Sequence, residues 1–371
     1  MELKRLKSID IFRGLCMAWM ILNHLFDWWL KSEYNWLKSI MISILDPIGV
    51  TGFLFISGVS ISLSYRKRII KAEKSETYNF RIVRNSYLFR AFFILIIALI
   101  YNSAVAISLK DPSMVWTWFV LLTAAISLFL AWPLLKTPKF FRILIGLTIL
   151  IAHLFIVSLL IPYEGDSNIY GLLFHILYND IHQDPILIFF PFFLFGTVIG
   201  DMIFDTLLLN NNKKNIKNRF FAPSMIIGIL LITIGVLYSF PDFLIRESLS
   251  WIIYSLGINV LFISILIYIE KYEIIETTKS YKFLFYYSYY SLTIYLAHNL
   301  LYFLFLHQLN VFNIWFFVIG AFFFIGLILR ATYKIWEGSA SIKVQISKLS
   351  LGITMRIEER INKKYRIKVN Q

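Results

Sequence analysis

Charge is scarce in this chain, and cysteine is almost missing. Only 16% of its 371 residues are Asp, Glu, Lys or Arg, against about a quarter in a typical soluble domain. Hydrophobic residues make up 58%, and mean hydropathy is +0.70. That balance excludes an ordinary water-soluble globule. One cysteine, Cys16, excludes an intrachain disulfide framework and a thiolate metal site. Acidic residues are the scarcer charged group, 22 against 36 Lys and Arg, for a net charge of +14. In a nucleic-acid-binding domain such an excess forms a basic stripe on a soluble surface. Here the cations fall in short clusters between apolar runs, so they report membrane topology and not a nucleic-acid partner.

The apolar runs have the length a helix needs to cross a bilayer, about 20 residues. They fall near 9–30, 42–64, 87–109, 115–135, 143–162, 186–208, 220–240, 249–270, 283–306 and 311–334. Basic segments alternate along this series. One set of connections carries Lys4, Arg5 and Lys7, then Arg66 to Lys74, Lys136 to Arg142, Lys213 to Arg219, Lys271 to Lys282, and the tail. The other set holds only Lys31, Lys38, Lys110 and Arg246, plus an acidic stretch over 163–184. By the positive-inside rule the first set is cytoplasmic. The expectation is an all-α integral membrane bundle of about ten transmembrane helices with both termini in the cytoplasm. The first run ends in Phe26, Asp27, Trp28 and Trp29 without a small-residue cleavage site, so it reads as a retained helix and not a signal peptide. Residues 1–336 form one membrane domain. Residues 337–371 form a basic cytoplasmic tail, either resting on the inner leaflet or simply solvated.

Ionisable groups inside a membrane span are costly and point to function. The first span carries four: Asp10, Arg13, His24 and Asp27. At about 100° per residue they share an arc of roughly 100° on one helix face. The 11-residue step from Arg13 to His24 is close to three turns, so these two stack on one line. His24 lies about 22 Å by helical rise from the cytoplasmic start of its span. The bland alternative is an interfacial Asp10–Arg13 ion pair, with His24 and Asp27 merely capping the outer end.

The second span opens on Asp46 and Pro47, then reads FLFISGVSISLS over 53–64. Its Ser57, Ser60 and Ser64 share a face, with Gly58 and Ser62 on an adjacent line, the pattern of close helix packing. Asp46 either orients a histidine from the outer side or caps its helix ahead of Pro47. The run 283–306 places Ser291, Tyr295, His298 and Tyr302 on one face. Rise along an unbroken helix puts His298 at the same depth as His24. His153 and His307 are isolated. His175 and His182 sit with Asp180 and Asp184 without ordered ligand spacing, so no metal is expected.

Three motifs then resemble a known family. They are RLKSIDIFRGLCMAWMILNHLFDWW from Arg5, GFLFISGVSISLSYRKR from Gly52 and YSLTIYLAHNLL from Tyr290. Together they are similar to the heparan-alpha-glucosaminide N-acetyltransferase catalytic-domain family, within the wider transmembrane acyltransferase superfamily. The resemblance implies an enzyme of the cell membrane that moves an acyl group, acetyl first of all, from cytoplasmic acetyl-CoA to an extracytoplasmic sugar or envelope glycoconjugate. It implies His24 as catalytic base, Arg13 and Asp10 at the donor site, and His298 in the same cavity. The chain departs from the family in having no histidine between Leu25 and Ala152.

Combined with the residue chemistry, the expected catalytic set is His24, Asp27, Asp46 and His298. The donor-binding set is Asp10, Arg13, Arg66, Lys67 and Arg68, the last three also explained by topology alone. Expected partners are acyl-CoA, a glycan or lipid-linked acceptor and membrane lipids; a homo-oligomer is compatible. Two other classes fit the same composition: a transporter or flippase for an anionic lipid-linked substrate, and a non-catalytic membrane scaffold. The first lacks an evident inverted repeat and paired broken helices.

Overall fold

Lipid cannot hydrogen-bond a peptide group, so a chain this apolar satisfies its backbone within helices. The computed structural model describes residues 5–75, 78–180, 183–209, 216–274 and 281–369. Described segments are helical with short connections. The chain divides into two compact units: residues 1–60 with 192–341, and 61–191 with 342–371. In chain order come α1 (Lys7–Trp29), α2 (Asn35–Leu45), α3 (Val50–Glu73), α4 (Phe80–Leu109), α5 (Val120–Leu134), α6 (Lys139–Leu160) and α7 (Ile169–Leu177). There follow α8 (Ile186–Ile203), α9 (Ala222–Tyr238), α10 (Leu249–Lys271), α11 (Lys282–Tyr289), α12 (Ser291–Ala297), α13 (Asn313–Trp336) and α14 (Ile342–Val369).

Among the described residues nine helices are long and apolar enough to cross a membrane. The protein is an all-helical, multi-pass membrane protein. Two expected spans differ in form: 42–64 is interrupted by a turn over 46–49 between α2 and α3, and 283–306 is divided into α11, α12 and a 3-10 turn over His298–Phe303. The second is divided further. Its sequence YYSYYS is poor in strong helix formers, and the first break falls at Tyr290. Anchors hold the pieces individually: Tyr287 donates to the Phe322 carbonyl (2.5 Å) and Tyr290 to the Glu337 carbonyl (2.6 Å).

In the first unit α1 is central, touching α2, α10, α11, α12 and α13. Its free amino-terminal N–H groups are satisfied by a distant carboxylate. Lys7 and Ser8 donate to Glu270 of α10 at 3.0 and 2.8 Å, a negative charge at the positive end of the helix dipole. Packing between helices depends on small residues because lipid removes the usual hydrophobic drive. A methyl group at Gly14 would collide with the Leu284 carbonyl of α11, and one at Gly58 with the Phe193 carbonyl of α8. The glycine within FLFISGVSISLS is therefore a backbone contact point.

In the second unit α4 packs against α5 and α14. The tail is thus a helix, Ile342–Val369, with Ile346, Ser350, Thr354 and Glu358 buried at four-residue intervals. Ser350 and Thr354 return their hydroxyls to carbonyls one turn earlier, which lets a polar sequence present a tight face.

Candidate active site

The polar stripe of α1 has two ends with different surroundings. At the amino-terminal end Asp10 is 2% exposed and fully engaged. Arg5 donates to it twice, from Nε at 2.6 Å and from Nη2 at 2.8 Å, and Ser288 of α11 donates at 3.2 Å. The interfacial partner of Asp10 is therefore Arg5, not Arg13. Arg13 instead donates from Nη2 to the Ser60 hydroxyl of α3, which passes its own proton to the Ile56 carbonyl at 2.7 Å. Among the described residues Arg13 meets no carboxylate. A guanidinium whose hydrogen bond goes to a neutral hydroxyl, with Asp10 acting on it only as a nearby charge, has donors to offer a phosphate or carboxylate.

At the carboxy-terminal end three rings converge. The His24 imidazole stacks on Trp28, one turn along the same face, with ring centres 5.0 Å apart. His298 stands 4.9 Å from His24 and 5.6 Å from Trp28, and Tyr302 meets the far part of the indole edge-on at 5.6 Å. Two imidazoles on separate elements are thus brought side by side against one indole.

The approach is enforced by backbone. A helix leaves its last carbonyls without partners. Here the Trp28 and Trp29 carbonyls accept from the His307 and Leu309 amides, each at 2.8 Å, and Lys31 returns a bond to the Leu309 carbonyl at 2.9 Å. The Trp29 indole also donates to the Leu301 carbonyl at 2.8 Å. These bonds latch the turn after His298 onto the end of α1. The break in span 283–306 frees His298 from helical register, and the latch sets its position.

His298 is 4% exposed, and its Nδ1 lies 2.5 Å from the Tyr295 carbonyl. A carbonyl only accepts, so Nδ1 carries the proton and Nε2 keeps its lone pair. His24 is half-buried and, among the described residues, makes ring contacts only.

The expected carboxylate partners of His24 are engaged elsewhere. Asp27 forms an ion pair with Lys38 of α2. Asp46, just past the end of α2, faces Arg246 at 3.3 Å. The group that touches His24 is the second histidine. Arg66, Lys67 and Arg68 belong to the second unit, where Arg68 donates to Ser86 at 3.0 Å. His153, in the same unit, shares a hydrogen bond with the Tyr178 hydroxyl at 3.0 Å in an apolar cluster with Phe174 and Leu160, a satisfied structural role. His307 Nδ1 lies 3.2 Å from the Leu30 carbonyl. His175 lines a polar cleft with Glu164 and Asp166, while His182 lies outside the described residues. Among the described residues no group of three His, Cys, Asp or Glu side chains is placed to hold a metal.

Sequence reading missed Trp28, Arg5, Ser60 and Arg246 as partners. Trp28 was legible in principle, since it stands four residues after His24 on the same face. Arg5 reaches Asp10 from just ahead of α1, five residues away, while Ser60 and Arg246 pair through tertiary contacts that spacing along one helix does not encode.

At the two ends of one helix face, about 16 Å apart by helical rise, a guanidinium on a neutral hydroxyl and a pair of imidazoles supply an anion anchor and a proton acceptor in one unit. No curated protein matches the chain. Residues 6–332, nearly its whole length, match the acyltransferase domain of the acyltransferase 3 family. The chain therefore belongs to that family, and it is a multi-pass membrane acyltransferase.

Proposed function

We propose that the protein takes an acyl group, acetyl in the first instance, from cytoplasmic acyl-CoA and delivers it to a hydroxyl or amine of an extracytoplasmic sugar. The observation that carries this reading is the contact of His24 with His298 at 4.9 Å, on the same helix face as Arg13. The basic alternation of loops puts the Arg13 end in the cytoplasm and the imidazole end toward the outside of the cell membrane. The three-motif resemblance to the heparan-alpha-glucosaminide N-acetyltransferase family supports a glycan acceptor.

In the proposed reaction Arg13 holds an anionic group of the donor. The acceptor O–H or N–H gives its proton to His24 as its heteroatom attacks the thioester carbonyl carbon. The C–S bond then breaks, and the departing thiolate takes the proton back from the imidazolium, leaving free coenzyme A and acylated acceptor. His298, its Nε2 kept unprotonated, accepts a hydrogen bond from a second, non-reacting hydroxyl of the acceptor and so aims the reacting group at the thioester. Asp27 and Asp46 take no proton in this scheme, because each is held by a cation.

His24→Ala tests the reading. Transfer of labelled acetyl from acetyl-CoA to membrane glycans should fall at least about 100-fold. Acetyl-CoA should still raise the thermal midpoint of the detergent-purified variant as it does the parent protein. Unchanged transfer would remove His24 from the mechanism. A parent protein that acetyl-CoA fails to stabilise at millimolar concentration would overturn the donor assignment and favour a transporter.

A further inference from the structure

A second charged site in the first unit has no part in the proton transfer described above. Asp46 follows directly on α2, and its side chain is only 7% exposed. Arg246, in the connection between α9 and α10, faces it at 3.3 Å and also faces Glu247 at 3.4 Å. The Asp46–Arg246 contact is ionic without hydrogen-bond alignment, and Asp46 Oδ2 has no hydrogen-bond partner. A buried carboxylate oxygen left with unused acceptor capacity is costly unless something donates to it.

Asp46 is among the residues lining a cleft of about 300 Å³. Ser43, Asp46, Asp242 and Arg246 supply its polar side; Ile42, Leu244 and Trp251 are among its apolar residues. Asp46 and Asp242 against one Arg leave the lining net negative, so the cleft favours hydrogen-bond donors over anions. A ligand that offers hydroxyl donors on its rim and C–H groups on its faces matches both halves, and a pyranose ring is such a ligand. The volume accommodates one ring.

The cleft is tied to the imidazole end of α1. Lys38 of α2 pairs with Asp27, three residues beyond His24, and Asp46 stands eight residues further on, about 12 Å by helical rise. We infer that this cleft is a sugar subsite, which takes one pyranose ring of the acceptor through Asp46 and Arg246. The inference rests on the acyl-transfer reading for its purpose, but binding of a sugar ring here requires no acyl donor.

Saturation-transfer NMR tests it on the purified full chain without acetyl-CoA, using methyl glucoside, methyl N-acetylglucosaminide and methyl mannoside as probes. At least one probe should bind the parent protein. Asp46→Asn should weaken that binding at least tenfold. Ser43→Trp fills the cleft without touching the ion pair and should abolish binding with an unchanged thermal midpoint, which keeps the test valid if Asp46→Asn is unstable. Binding by none of the probes, or binding unaffected by Ser43→Trp, overturns the subsite. Acetyl transfer by the same preparations is scored separately: a parent protein that binds the sugar but never acylates any glycan refutes the acyl-transfer reading and leaves the subsite standing.

Discussion

The two ends of α1 carry the same kinds of residue on one face, yet they are solved differently. At the amino-terminal end Asp10 is saturated by Arg5 and Ser288, and the cation that remains is Arg13 on a serine hydroxyl. At the carboxy-terminal end Asp27 is drawn off to Lys38, and His24 is left against an indole and a second imidazole. In both places a carboxylate is consumed by a structural cation, and the group left over is the one suited to chemistry. Burial makes an unpaired charge expensive, so what remains unpaired is a stronger sign of function than what is merely polar.

Four substitutions sharpen or break that contrast. His298→Phe keeps a ring against Trp28 but removes the fixed acceptor nitrogen; acyl transfer should drop about 100-fold with the thermal midpoint held, as measured by labelled-acetyl assay and thermal unfolding. If transfer persists, His298 is only packing. Arg13→Ala should raise the acyl-CoA KM about tenfold or more while leaving the acceptor KM unchanged, since a charge-assisted contact is worth roughly 1.5–3 kcal/mol. An effect on the acceptor alone would reverse the assignment of the two ends. Asp10→Asn should behave as a stability variant, losing about 2 kcal/mol with kcat preserved in the folded fraction, because Arg5 would lose its carboxylate. The smallest effect belongs to Asp27→Asn. Lys38 and Asp27 are about a third and two-fifths exposed, and such a pair contributes roughly 0–1 kcal/mol. Less than a twofold change in rate is expected; a hundredfold loss would restore Asp27 to the catalytic set.

Much of the fold was legible before any coordinates. Apolar runs of bilayer length appear as long helices because a lipid-facing segment has no other way to satisfy its backbone. Like 42–64, which breaks at the turn over 46–49, the segment 283–306 departs in form. Its hydropathy is that of a span, but hydropathy does not register where aromatic and serine side chains anchor a chain piecewise to α1 and α13. The candidate site was half legible. Helical spacing placed Arg13 and His24 on one face of α1, and rise along an unbroken helix anticipated His298 near His24, although the segment is broken and the latch places the ring. The carboxylates went elsewhere because Lys38 and Arg246 reach them from other elements, and nothing in the spacing of α1 reports those arrivals.

The sequence by itself determined that this is a helical membrane protein and that its polar residues form a stripe on the first helix. Those properties depend on composition and on a fixed helical period, both local. Only the tertiary structure decided which polar groups neutralise one another, where span 283–306 breaks, and that the turn after His298 is latched to the Trp28 and Trp29 carbonyls. Those outcomes depend on partners from 5 to 278 residues apart, and a buried charge or an orphaned carbonyl takes its partner from whichever element packs against it.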